Sequence, residues 1–143
     1  MIEFKTVFVD TSVFIYFLEE NKRFIEKAND FFEYCLSNDV ELKTSTITFM
    51  EFSVKPYEKG KIEVVNKFKD FLVDFDIQTY NINIEIADSA ARLRSKYKWL
   101  KSMDALQLSV ALFSESDIFI TNDLNLQKIK EIDVALIKDW IRP

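Results

Sequence analysis

No histidine occurs anywhere in these 143 residues, so neither a Ser-His-Asp or Cys-His nucleophile nor a His-ligated zinc site can be built. Gly60 is the only glycine, which excludes both the Walker phosphate loop and the glycine-rich dinucleotide fingerprint. Cys35 stands alone; it cannot form an internal disulfide or a structural zinc site, and a lone thiol fits a reducing, cytoplasmic setting. The longest apolar run, Val13 to Leu18, is far short of a membrane span, and Met1-Ile2-Glu3-Phe4-Lys5 is no signal peptide. Any chemistry therefore falls to carboxylates and hydroxyls. Such groups favour hard, oxygen-loving cations such as Mg2+ or Mn2+.

What is present reads as one globular domain over residues 1–143, with 48% hydrophobic and 30% charged residues. The 14 Phe are expected in the core. Val7-Phe8-Val9 runs without alternation into Asp10, the pattern of a central parallel strand buried on both faces. Helical spacing follows over Ser12–Glu20, apolar on nearly every side, and over about Lys22–Ser37, with Phe24, Ala28, Phe31, Phe32, Cys35 and Leu36 inward. Val40–Thr44 reads as a second strand. Ser45–Tyr57 reads as a helix stopped by Pro56, in which Thr48 to Glu51 has the form of a capping box.

Lys61–Val73 is a further amphipathic helix with Ile62, Val65, Phe68 and Leu72 inward, and Phe75–Tyr80 a third strand. Asn83–Tyr97 is a helix turning Ala87, Ala90, Ala91 and Leu93 to the core. Ser102–Glu115 is another, with Leu106, Val110 and Phe113 inward. Asp117–Thr121 is a buried strand, followed by a short helix near Asn125–Lys130 and a last strand, Val134–Ile137. Strands alternating with helices predict an α/β fold with a parallel sheet.

Four acids stand out: Asp10, Glu51, Asp104 and Asp123. Singly, each has a structural explanation. Asp10 and Asp104 suit helix caps, Glu51 the capping box, and Asp123 the turn after its strand. Together they form a different pattern. Asp10 and Asp123 follow the carboxyl ends of two strands, where ligands of parallel sheets bind. Glu51 and Asp104 open helices that can begin on the same edge. Two carboxylates ~4 Å apart repel by about 4 kcal/mol at an intermediate dielectric, so such a cluster calls for protons or divalent cations.

These segments, Phe8-Val9-Asp10-Thr11-Ser12, Thr46-Ile47-Thr48-Phe49-Met50-Glu51, Met103-Asp104-Ala105-Leu106-Gln107-Leu108 and Thr121-Asn122-Asp123, resemble in order the acidic motifs of PIN-domain ribonucleases. The resemblance runs almost end to end and extends to the single-domain toxins of VapBC toxin–antitoxin pairs. It implies a five-stranded parallel sheet sandwiched between helices and a Mg2+- or Mn2+-dependent endoribonuclease. Asp10, Glu51, Asp104 and Asp123 would be its catalytic acids. Asp10 and Asp104 are expected as direct metal ligands, and Glu51 and Asp123 as ligands or as partners acting through water. Ser12 and Thr121 match the hydroxyls that accompany the acids. The implied partners are single-stranded or structured RNA and a small antitoxin protein.

The chain carries a net charge of −5, unusual for a nucleic-acid binder. Its basic stretch is Arg92, Arg94, Lys96, Lys98 and Lys101, with no acid between Ser89 and Met103. Lys98 and Lys101, next to Asp104, are the expected phosphate contacts; a solvated helix face is the other reading. The apolar helix Val13–Leu18 suggests a protein interface, such as a homodimer. A PIN-like module that binds RNA or assembles without catalysis is the main alternative. A two-carboxylate glycosidase would need no metal, and a haloacid-dehalogenase-type phosphatase would want a second Asp where Ser12 stands.

Overall fold

The computed structural model describes residues 3–143. Five strands form one parallel sheet in the order β3-β2-β1-β4-β5: β1 (Thr6–Val9), β2 (Glu41–Ser45), β3 (Gln78–Tyr80), β4 (Ile118–Thr121) and β5 (Asp133–Leu136). Six α-helices join them: α1 (Thr11–Leu18), α2 (Ile25–Ser37), α3 (Thr46–Glu58), α4 (Ile62–Asp74), α5 (Ile84–Lys96) and α6 (Ser102–Phe113). This is the α/β sandwich expected.

The unalternated β1 is buried on both faces because each face has its own core. Val7 and Val9 join Phe14, Phe31, Phe32, Phe68 and Phe71 on one side. Phe8 joins Ile86, Ala90, Leu93 and Leu108 on the other, its ring stacked 5.2 Å from that of Phe119. The chain lays β1, β2 and β3 outward in one direction and then crosses back to β4. The carboxyl ends of β1 and β4 therefore flank the point where strand order reverses, the crevice favoured for ligands in open α/β sheets.

Several local expectations are corrected. Pro56 does not stop α3; the helix runs two residues beyond it, because a proline near a carboxyl end removes only one helical bond. The cap of α3 is Ser45, whose hydroxyl accepts from Ile47 N–H at 3.1 Å, so Thr48 to Glu51 is no capping box. The third strand begins at Gln78, since Phe75 caps α4 and Asp76 turns the chain at φ 50°. The segment after β4 is a 3-10 helix, Leu124–Lys128, and Ile137 leaves β5 for a second one. In α1, Val13 and Phe14 are fully buried, whereas Ile15, Tyr16, Phe17 and Leu18 are only partly so and pack on the first core.

With a single glycine, the chain closes its helices in an uncommon way. Glu20, Asp39, Asp76 and Glu115 adopt left-handed backbones at φ 50–56°, where Gly60 serves α3. Each lets the next amide reach back five residues, as Val40 N–H does to Cys35 O at 2.9 Å and Ser116 N–H to Ala111 O at 2.9 Å. A side chain in that conformation costs about 1–2 kcal/mol, partly offset by the smaller entropy loss relative to glycine. Asp39→Gly should therefore raise stability by about 0.5–1 kcal/mol in urea unfolding. A loss of stability would show that the Asp39 side chain contributes more than its backbone strain costs.

Candidate active site

Asp10 occupies the first position after β1, and its amide donates to Ile120 O at 3.0 Å, which ties the strand end to β4. Its carboxylate caps α1. Oδ1 accepts from Thr11 N–H at 2.9 Å, and Oδ2 accepts from the Thr121 hydroxyl at 2.7 Å. Thr121 Oγ1 in turn accepts from Asp123 N–H at 3.2 Å, and Asp123 Oδ1 caps the following 3-10 helix at Asn125 N–H, 3.0 Å away. One buried hydroxyl thus links the two strand-end acids.

Glu51 lies one turn into α3 and enters the same crevice. Its Oε1 accepts from the Thr11 hydroxyl at 2.7 Å. Asp104 is in the first turn of α6. That helix starts on the carboxyl edge of the sheet, since its far end places Ser114 O on Lys43 and Asp117 beside the start of β1. Its N-terminal residue Lys101 makes no side-chain cap, and neither does Asp104. The cap reading therefore holds for Asp10 and Asp123 and fails for Glu51 and Asp104.

Gln107, next on the inner face of α6, is buried. It accepts from the Ser45 hydroxyl and donates to Thr48 Oγ1 at 2.6 Å. This contact clamps α6 to the start of α3 and fixes Asp104 relative to Glu51. In the sequence Gln107 passes for a capping partner. Thr11 was missed as well, because its partner lies 40 positions away; only its place directly after Asp10 hinted at a role.

Two of the carboxylates, Asp10 and Asp104, are perturbed by their surroundings. Burial raises the Asp10 pKa from 3.8 to about 6; the Thr121 and Thr11 hydrogen bonds oppose the rise, and the charges of Asp104 and Glu51 add to it. Asp104 is also raised, first by burial, then by Asp123 and Glu51, with Lys101 opposing. Among the described residues no three His, Cys, Asp or Glu side chains already close on one point as a metal cage. Asp10 lies within electrostatic reach of Asp104 and Glu51, and Asp104 within reach of Asp123 and Glu51.

That arrangement fits a small hard cation. Mg2+ keeps several waters and is usually held by one or two carboxylates together with substrate phosphate. The donors are all oxygens. The Ser12 hydroxyl, two residues from Asp10, is buried without a hydrogen-bond partner among the described residues. A water or an ion can satisfy such an atom, and the same holds for the unpartnered Ser53 and Ser109 hydroxyls and Asn122 Oδ1.

Lys101 is exposed beside Asp104, whose pKa it lowers. Lys98 is exposed in the preceding turn, and neither lysine makes an ion pair among the described residues. The remaining cations of the stretch are engaged. Arg92 pairs with Asp88, Lys96 pairs with Glu131, and Arg94 donates to Leu100 O.

The profile of the PIN domain family matches residues 7–132. No curated protein sequence matches the chain. Among solved structures, a VapBC2 complex from Rickettsia felis, bound to a DNA fragment from its promoter, contains a chain similar at TM-score 0.75 with 17% identity over 92% of this chain and 98% of that one. A toxin–antitoxin complex from Klebsiella pneumoniae gives TM-score 0.68 and 22% identity over 92% and 97%. VapC20 of Mycobacterium tuberculosis, described as a sarcin–ricin-loop-cleaving toxin, gives 0.67 and 11% over 89% and 98%.

The raised carboxyl pKa values make stability depend on pH with a definite sign. Between about pH 4 and pH 6 the folded state holds the Asp10 proton that the unfolded chain has lost, so stability falls as pH rises, by up to about 3 kcal/mol. Asp30, Asp117 and Glu131 have lowered pKa values, and their opposite effect lies at more acid pH. With chelator present, the protein should be more stable near pH 5 than near pH 8. Asp104→Asn should shrink that difference and raise the melting temperature, because it removes one repelling charge without changing shape. A flat profile would mean that burial does not hold the Asp10 proton, and a less stable variant would mean that these acids do not repel.

Proposed function

The chain belongs to the PIN-domain family, and from that membership we propose that it is a Mg2+- or Mn2+-dependent endoribonuclease, the toxin of a toxin–antitoxin pair. The observation that supports this reading is the placement of Asp10, Glu51, Asp104 and Asp123 at the strand-order reversal, with Asp10 raised in pKa by burial and by the charges of Asp104 and Glu51, and Asp104 by burial and by the charges of Asp123 and Glu51. Asp10 and Asp104 would hold the cation directly, while Glu51 and Asp123 ligate or act through water. When bound, the cation lowers the pKa of the attacking water and offsets charge on the phosphate and leaving oxygens.

The protein's own part is positioning. Thr121 sets the Asp10 carboxylate and Thr11 sets Glu51, leaving Oε2 of Glu51 and Oδ2 of Asp123 for further partners. Ser12 offers its unpaired hydroxyl to a water or to the cation. Lys98 and Lys101 meet RNA phosphates, and the VapC20 relative supports RNA as substrate, whether single-stranded or structured. A small antitoxin as partner is supported by the relatives solved as toxin–antitoxin complexes. The half-buried Ile15–Leu18 of α1 would provide apolar surface for that partner or for a second copy. No described helix is long and apolar enough to cross a membrane, and the lone Cys35 suits the cytoplasm.

RNA cleavage should require Mg2+ or Mn2+ and stop with EDTA. Folded Asp10→Ala and Asp104→Ala should lose activity by more than about 100-fold, since even an outer partner of a metal ligand is worth ~10–100-fold. Cleavage at wild-type level in Asp104→Ala would remove the mechanism. Sound RNA binding with no cleavage under any metal would favour the non-catalytic module instead.

The double variant Lys98→Ala, Lys101→Ala should bind single-stranded RNA more weakly. Its plot of log affinity against log salt should flatten by about 1.4, at ~0.7 per lost phosphate contact. An unchanged slope would assign both lysines to a merely solvated face.

A further inference from the structure

Trp99 lies in the turn between α5 and α6, and its neighbours do the structural work there. Leu100 is buried, its amide donates to Tyr97 O at 3.0 Å, and its carbonyl accepts from Arg94 Nε at 3.0 Å. The Tyr97 hydroxyl donates to Glu131 Oε1 at 2.7 Å and accepts from Lys130 N–H at 3.2 Å. The turn is thereby fixed on both sides of Trp99, yet the indole is 43% exposed. It meets the Tyr97 ring edge-on at 5.9 Å, and the Lys128 ammonium lies 5.6 Å from its centroid.

Two short connections along the chain link this ring to the carboxylates. Lys101, two residues on, begins the helix that carries Asp104 and acts on its charge. Lys128 ends the 3-10 helix that Asp123 caps, a span of about 10 Å at ~2 Å per residue. That distance corresponds to about three stacked nucleotides at ~3.4 Å each. The surroundings of the ring are cationic, with Lys98, Lys101 and Lys128 all exposed. Lysine is depleted in the cores of protein–protein interfaces. An exposed aromatic face among lysines is instead the composition of a groove for single-stranded nucleic acid, where bases stack and ammonium groups follow the phosphates.

We propose that Trp99 is a stacking platform for a nucleobase of a single-stranded RNA segment, a few nucleotides from the bond that is cut, with Lys128 and Lys101 on the flanking phosphates. This rests on the ribonuclease reading and adds a subsite to it. Stacking tolerates any base, so the platform contributes affinity and register rather than sequence choice. The indole is held ready by Tyr97 and Lys128, and little ordering is left to occur on binding.

Fluorescence tests this directly. The only other tryptophan, Trp140, is buried and donates its N–H to Asp30 at 2.8 Å, so added RNA can reach Trp99 alone. In an Asp104→Asn background that slows cutting, with Mg2+ present, a mixed-sequence single-stranded oligoribonucleotide should quench the emission. Trp99→Phe should lose the quenching but keep most of the affinity. Trp99→Ala should bind about 5- to 150-fold more weakly, the range for one lost stacked base, with an unchanged salt slope; Lys128→Ala should flatten that slope. With Asp104 intact, Trp99→Ala should raise KM more than it lowers kcat. RNA that binds without quenching, together with a Trp99→Ala variant of wild-type affinity, overturns the platform while metal-dependent cleavage still stands. A wild type that neither binds nor cuts RNA removes both.

Discussion

The Thr121 hydroxyl has two obligations, and the rest of the site depends on both being met. It donates to Asp10 Oδ2 and accepts the amide of Asp123, so one oxygen fixes the first acid and the backbone of the last. Asp10 needs that donor. Burial and two nearby carboxylates push it toward the protonated form, and hydrogen bonds to the charged form are what the fold supplies against that push. Without Thr121 and Thr11, a carboxylate in this position would titrate still higher and be less available as a ligand. The repulsion is tolerated because the cluster is left open on the solvent side, where Glu51 and Asp123 are exposed. A closed cluster of four acids would demand counter-ions before the chain could fold.

Topology decides which residues can share that opening. A parallel sheet brings strand ends to one edge, and the reversal of strand order between β1 and β4 leaves room there that no crossover helix fills. α3 follows β2 directly and α6 precedes β4, so both begin on that edge and present Glu51 and Asp104 inward. The Ser45–Gln107–Thr48 contact, buried in a region otherwise packed with apolar groups, ties the two helices together. A polar link there costs desolvation but is directional, so it sets the relative register of the helices more narrowly than apolar packing would. The same clamp reaches Trp99 indirectly, since the turn that carries it leads straight into α6.

Sequence periodicity located every strand and α-helix because the apolar stripes are strong, but it missed the closing 3-10 helix and misjudged some faces. Ile62, Leu36 and Phe113 fit the inward spacing and are all about half exposed or more, while Phe71 and Ile86 carry the burial instead. Helix ends overhang the sheet, so the last members of a stripe have nothing to cover them. In α6, six consecutive residues from Ala105 to Val110 include only one, Leu106, that is not buried. A helix wrapped by the sheet, α5 and the Gln107 contact has no solvent face there for a periodicity to reveal. The acids were legible since each stands where a strand ends or a helix begins. Their hydroxyl partners were less so. Thr121 ends its strand and could be read, whereas the pairing of Thr11 with Glu51 joins helices of two different crossovers and depends on sheet order.

The net charge of −5 looks like an obstacle to RNA binding, yet much of it has identifiable local causes. Four acids, Glu20, Asp39, Asp76 and Glu115, close helices in the left-handed conformation that glycine would normally take, and four more form the candidate site. Asp tolerates that conformation better than most residues; Glu has no such advantage, so poverty in glycine has been compensated at some strain. None of the four helix-closing acids falls in the turn between α5 and α6. What a polyanion meets on approach is the local field within about a Debye length, ~8–10 Å, rather than the sum over the chain. Near Trp99 that field comes from Lys128, which lies over its ring, with Lys98 and Lys101 beside it in the chain, while Lys96 and Glu131 cancel one another. Beyond the lysines the sign changes at the carboxylates. On the proposed reading, an RNA strand drawn in by the former would reach the latter only with cations between its phosphates and the acids, so binding at the cut site would be coupled to the metal in a way that binding at the lysines would not.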